Sequence, residues 1–422
     1  VKAPFASSLV PINLRFARPI VKDVTSVVGA RLGLVRGQSL PVGRLGITAG
    51  SRGIHDAKMI LASVVRWSRD EGALPVIIAS MGSHGGATSQ GQLKLLAHIG
   101  VIEESMDAPI LADMEVVELG RTPSGLVAYC DRNAAECDGI FIINRVKPHT
   151  AFSEPFGSGL LKMLVIGLGK AEGAAQIHRQ GPAKMAQAIE EVARVFLATG
   201  KILGGLAIIE NAYDETAEIV WVRPEEMIEK ERELFQKAKR LMPQLPVEDI
   251  DLLIVDEMGK NYSGTGMDVN VIGRWRLPGM PEPSSPRIKR IVTLRLSPES
   301  EGNAQGVGLA DVVTRRLVDA IDPVNTYTNT ITSTFLERGF IPITMPTDRD
   351  AIGAALASLA LPDPAKARIV RIRNTLRLDE LWVSETLLPE LAGRPEVTVG
   401  TPEPLRFTDD GMLADLANFP VA

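Results

Sequence analysis

Three of the five histidines in this 422-residue chain fall where chemistry is possible. His84 lies in the glycine-rich turn Gly82-Ser83-His84-Gly85-Gly86-Ala87, His149 closes Lys147-Pro148-His149, and His178 follows on a helical stretch. An imidazole titrates near neutral pH, so two of them can pass a proton in either direction. Lys162 ends Ser158-Gly159-Leu160-Leu161-Lys162 and Arg52 sits in Gly50-Ser51-Arg52-Gly53, adding cations suited to an anionic substrate. A lone turn histidine is usually surface and a lone arginine usually solvated, so the weight rests on the set. His55 and His98 fall inside helical patterns and read as structural or solvated. The chain has no Gly-x-Ser-x-Gly elbow, no Walker lysine loop and no zincin helix, and its histidines lack zinc spacing. Gly167-Leu168-Gly169 with Gly173 falls short of the dinucleotide fingerprint.

The elements that must carry these groups alternate. Apolar runs at Leu45–Ile47, Leu74–Ser80 and Asp138–Asn144 read as strands, the last two as buried ones. Helical patterns follow over Asp56–Arg69, Thr88–His98, Lys184–Ala198 and Arg223–Leu241, with Leu203–Glu210 a further strand. Arg52, His84 and His149 therefore fall just after strands, where open α/β sheets bind ligands and helix N-termini favour anions. Met242-Pro243-Gln244-Leu245-Pro246 reads as a linker, because two prolines stop a helix and stiffen the chain beyond it. Past that linker the spacing predicts strands at Ile250–Val255, Lys289–Leu296, Ala367–Ile372 and Leu381–Ser384, and helices at Gly308–Asp322 and Asp348–Leu359. The expected architecture is two α/β domains, 1–246 and 247–422, with the active site in the cleft between them.

Composition narrows the partners. A hydrophobic share of 45%, a charged share of 23% and a net charge of -5 give no basic excess to attract nucleic acid or anionic membrane. Cys130 and Cys137 make neither a disulfide framework nor a zinc ribbon. No apolar run reaches the roughly eighteen residues of a membrane span, and the expected location is cytoplasmic. The residues alone reach an α/β enzyme acting on an anion. An oxidoreductase or other metal-assisted enzyme, and a non-catalytic protein binding an anionic metabolite, stay open.

In their order, the arginine turn at 50–52, the histidine turn at 82–84, Lys-Pro-His at 147–149, the lysine loop at 158–162 and His178 resemble the lactate racemase superfamily of nickel-pincer-nucleotide enzymes. The resemblance implies a racemase or epimerase that inverts C2 of a 2-hydroxy acid by transient hydride transfer to a nickel-pincer nucleotide, the nickel complex of a pyridinium-3,5-bisthiocarboxylic acid mononucleotide. It implies His178 as nickel ligand, Lys162 as holder of one cofactor arm, and His84 and His149 as the acid/base pair. Arg52 would anchor the substrate carboxylate or organise the cofactor, and N–H groups at Gly85, Gly86 and Thr88 would take the nucleotide phosphate. Ala49 stands where the family's arginine turn starts with aspartate, Gly85-Gly86 replace a basic residue and proline, and the interval from His149 to Lys162 is longer than in the family's namesake. These departures argue against lactate itself, and the polar residues Asn261, Asp268, Asn270 and Arg274, which follow the first strand past the linker where the family places substrate-contacting groups, imply a 2-hydroxy acid larger or more polar than lactate. The number of assembled chains is left open, a homodimer being one expectation.

Overall fold

The computed structural model describes residues 8–35, 43–51, 53–152 and 154–414. They fall into two units, one of Ala17–Met242 and one running from Pro243 together with the described residues up to Phe16. Arg52 and Ser153 lie outside the described residues.

The chain's first strand, β1 (Ser8–Leu14), is a member of the second unit. Val10, Ile12 and Leu14 are buried in that unit's core, and β1 runs antiparallel to β15 (Glu380–Val383) with Val10 opposite Val383. The first unit thus starts at Ala17, where a domain from residue 1 was expected, and it ends at Met242, inside the expected proline-rich linker.

Within the first unit, α1 (Val24–Gly33) begins at Asp23, whose carboxylate accepts the Ser26 N–H at 2.9 Å. Then follow β2 (Arg44–Ala49), α2 (Ala57–Asp70), β3 (Leu74–Ala79), α3 (Ser89–His98), α4 (Glu103–Met106), β4 (Ile110–Leu111), the hairpin β5 (Val116–Arg121) and β6 (Val127–Asp131), α5 (Arg132–Ala135) and β7 (Gly139–Arg145). After the site loop come α6 (Leu160–Lys162), one π-helical turn (Met163–Gly167), α7 (Lys170–His178), α8 (Pro182–Ala198), β8 (Ile202–Glu210), β9 (Thr216–Val222) and α9 (Met227–Leu241).

The main sheet has the order β4-β3-β2-β7-β8-β9. All neighbours are parallel except β8 and β9, so β9 closes the sheet as an antiparallel edge. Strands buried on both faces read as unbroken apolar runs, which is what β3 and residues 139–143 of β7 show, before β7 ends in Asn144 and Arg145. Val28, Leu32, Ile60 and Val64 from α1 and α2 pack with Leu45, Ile47 and Phe141 of the sheet. Phe141 stacks on Trp221 at a centroid distance of 5.4 Å. From β2 the chain goes to β3 and β4 on one side and later returns to β7 on the other. The switch point of the sheet therefore lies between β2 and β7.

The second unit carries β10 (Asp249–Met258), β11 (Arg287–Leu296), β12 (Val312–Thr314), β13 (Ile343–Met345), β14 (Ile369–Ile372), β15, β16 (Val397–Val399) and β17 (Glu403–Pro404). The order is β13-β12-β11-β10-β14-β15-β1-β16, with β17 on β1. The helix expected over Gly308–Asp322 is instead a 3-10 turn, β12 and a short helix at Arg315–Asp319. Val312, Val313 and Thr314 are β-branched and buried, which suits a central strand, and the Thr314 hydroxyl caps the helix by accepting the Leu317 N–H at 3.2 Å. Among the described residues no helix is long and apolar enough to cross a membrane.

Candidate active site

The carboxyl ends of β2, β3 and β7 open on one pocket in the first unit. Gly50 and Ser51 reach it from β2, Ser80, Met81 and His84 from β3, and Asn144, Arg145 and Lys147 from β7. Ser158, Lys162, Met163, Ile166 and Gly167 close the far wall. Parallel strands with α-helical crossovers leave their loops at this end, so residues far apart in sequence converge there.

His84 is exposed at the pocket rim, and its Nδ1 lies 2.5 Å from the Ser51 hydroxyl. The turn that carries it needs glycine. Gly85 has φ +68°, and a Cβ there would stand 2.5 Å from the Gly91 carbonyl carbon. Gly86 has φ +66° but faces open space. Thr88 does what its sequence position predicts for a cap: its side-chain oxygen accepts the Gly91 N–H at 3.0 Å. The N–H groups of Ala87 and Thr88 donate to the carbonyls of Ser83 and Gly85. Gly85, Gly86 and Thr88 shape the His84 turn and are not among the pocket's lining residues.

Lys162 lies half-buried, its Nζ 3.4 Å from the Ser158 hydroxyl. Ser158 pairs in antiparallel fashion with Lys147 through two main-chain hydrogen bonds of 2.8 and 3.0 Å, which closes the loop of residues 147–158. That brings Lys147 and Lys162 to the same pocket, while the Arg145 guanidinium is held in an ion pair by Glu210. Asn144 fixes the loop from β7 by donating to the Gly159 carbonyl at 2.7 Å. Behind it, Glu231 of α9 is buried and accepts the Leu161 N–H at 2.9 Å. Burial pushes the Glu231 carboxyl up to about 8, against the pull of the Leu161 and Leu160 N–H groups. A Cβ on Gly159 would come within 2.5 Å of this carboxyl group, so only glycine admits the contact.

His149 is half-buried, its ring 4.5 Å from that of Phe152, and its Nδ1 accepts the Ala151 N–H at 3.1 Å. With Nδ1 accepting, the neutral ring carries its proton on Nε2. The loop places His149 two residues from Lys147, though not in the pocket wall.

His178 ends α7, and its Nδ1 is buried without a hydrogen-bond partner among the described residues. Burial first, and the Lys162 charge second, hold the imidazole down at about 4, so it is neutral at physiological pH. Among the described residues no group of three or more His, Cys, Asp or Glu is arranged to hold a metal ion. A metal here would have to arrive with most of its own ligands. The neutral, orphaned imidazole beside Lys162 fits that requirement, since imidazole suits nickel.

Sequence reading singled out His84, His149, Lys162 and His178, and the structure brings His84 and Lys162 into one pocket with His178 within reach of the Lys162 charge. It passed over Ser51 and Glu231. Ser51 could have been noticed as the polar residue after β2 nearest the other strand ends, whereas Glu231 reads as one more charge on a charged helix.

Fold and pocket together define an α/β domain with its site at the sheet's switch point, the position such folds reserve for ligands. Residues 51–189 match the family model of the lactate racemase N-terminal domain. The chain thus carries a lactate racemase-type N-terminal domain, and the resemblance to the lactate racemase superfamily read from its motifs stands. No curated protein matches the chain. A solved structure, the lactate racemase apoprotein from Thermoanaerobacterium thermosaccharolyticum, shares its fold with a TM-score of 0.54 at 11% identity, over 87% of this chain and 98% of that one.

Proposed function

We propose that the protein is an isomerase that inverts C2 of a 2-hydroxy acid with a nickel-pincer nucleotide as cofactor. The observation that carries this reading is the His178 imidazole, neutral and with its buried Nδ1 lacking a hydrogen-bond partner among the described residues, close enough to feel the charge of Lys162, which lines one pocket with His84. When bound, the cofactor supplies a site that can take and return a hydride.

The chain's own residues do the rest. His178 holds the metal through a nitrogen that has no proton to lose, and Lys162 holds the organic part of the cofactor. His84 takes the substrate hydroxyl proton, its ring oriented through Nδ1 by Ser51, and His149, once protonated from solvent to the imidazolium, returns a proton from the opposite side. Lys147 adds positive charge for the carboxylate. Arg52, two residues along from Gly50 at the pocket, serves the same anion. The longer loop between His149 and Lys162, closed by the Lys147–Ser158 pair, suits a 2-hydroxy acid bulkier than lactate.

The test is to produce the chain together with enzymes that make the cofactor, measure nickel and sulfur per chain, and offer a panel of single-enantiomer 2-hydroxy acids followed by chiral analysis. Near-equimolar nickel with inversion of at least one acid is expected. Cofactor-supplied protein that retains no nickel would falsify the reading.

A further inference from the structure

Behind the His84 turn lies a fully buried cation. Lys170, the first residue of α7, has no exposed surface, and neither does Asp131 of β6, whose carboxylate stands 2.9 Å from its Nζ. The same ammonium donates to the Ala79 carbonyl at the end of β3, at 2.5 Å, and to the Gln92 Oε1 of α3, at 3.0 Å. Lys170 has φ +52°, a left-handed conformation that a side chain resists and that persists only where surroundings dictate it. Three partners on three elements supply that constraint.

Gln92, also fully buried, passes the constraint on. With its oxygen turned to Lys170, its amide NH₂ faces the opposite way and donates to the Gly82 carbonyl at 2.8 Å and the His84 carbonyl at 3.4 Å. The two carbonyls bracket the turn that presents the imidazole. We propose that Gln92, oriented by the Lys170–Asp131 pair, is a positioning residue for His84: it holds the main chain on both sides of the imidazole and thereby fixes the ring against Ser51. Because Lys170 opens the helix that His178 closes, the same network sets the His84 turn relative to α7. The geometric part is independent of the racemase reading; the catalytic consequence rests on it.

Gln92→Met keeps the side chain's length and leaves the Lys170–Asp131 pair intact. Its effect is read on apoprotein labelled with ¹⁵N-histidine, with His84 assigned by its loss in His84→Gln, and then on cofactor-loaded enzyme. The ring-nitrogen signals of His84 should shift away from their hydrogen-bonded positions while those of His178 stay put. In loaded enzyme kcat should fall about 10- to 100-fold with KM little changed, as for a displaced reacting group, and nickel content should hold. His84 signals identical to wild type in folded Gln92→Met overturn the proposal. Shifted His84 signals with unchanged kcat uphold the positioning and remove His84 from proton transfer. Should Gln92→Met not fold, Lys170→Met with Asp131→Asn takes both charges out together, keeps a capping oxygen for the Ala134 N–H, and carries the same reading.

Discussion

A Glu231 carboxyl oxygen accepts the Leu161 N–H at 2.9 Å, one residue before Lys162, across 70 positions of sequence. With its carboxyl raised to about 8 and an ordinary value of 4.5, the folded protein keeps a proton that the unfolded chain releases. Between those two values the unfolded state binds fewer protons, so this group's contribution to stability is full below about pH 4.5 and is lost as pH rises to about 8, by roughly 1.4 kcal/mol per pH unit. Glu231→Gln should flatten that slope. Thermal unfolding of both proteins from pH 5 to 9 checks it, and parallel curves would show that the carboxyl ionises freely.

Ser51 lines the pocket and orients His84 through its hydroxyl. Ser51→Ala removes a single exposed hydrogen bond, worth about 1 kcal/mol or less of stability. It should nevertheless lower kcat about tenfold, because an unsupported imidazole samples wrong orientations. Steady-state kinetics on loaded enzyme decides; an unchanged kcat would mean that the ring is held by other contacts.

At His178 the expected effect is on metal, not protein. Its buried Nδ1 is already without a hydrogen-bond partner among the described residues, so His178→Ala relieves that cost while opening a small cavity. Nickel retained per chain should drop at least about tenfold. Metal analysis alongside sulfur content separates lost metal from lost cofactor, and undiminished nickel would exclude His178 as a ligand.

Two adjacent glycines should answer differently to the same change. Both have positive φ, which costs an alanine about 1 kcal/mol at either site. At Gly85 the new Cβ would also collide with the Gly91 main chain, whereas at Gly86 it meets nothing within 4 Å. Gly85→Ala should thus destabilise by roughly 1–3 kcal/mol more than Gly86→Ala. Denaturant unfolding measures the gap; equal losses would mean that the turn gives way.

Strand ends were legible because Leu74–Ala79 and the first five residues of β7, 139–143, form unbroken apolar runs, and the polar residues that follow each run mark where the chain leaves the core. That local logic found His84 and Lys162. It could not find β1's place beside β15, since pairing partners hundreds of residues apart leave no periodic trace. Nor could it find Lys170, which read as part of a loose glycine pattern, or Gln92, an ordinary polar residue in an amphipathic helix. Their roles come from burial against main-chain carbonyls, a property of the folded chain only. Arg52 stays an expectation, being outside the described residues.

Lys162 and His178 are sixteen positions apart. In one straight α-helix that count would separate them by roughly 24 Å, too far for one charge to bear on the other through solvent and salt. Lys170, left-handed at the start of α7, interrupts any such rod, and the Lys162 charge does bear on His178. A lysine and a histidine at the same interval on an unbroken helix in another sequence would spell the same motif and stay out of each other's reach.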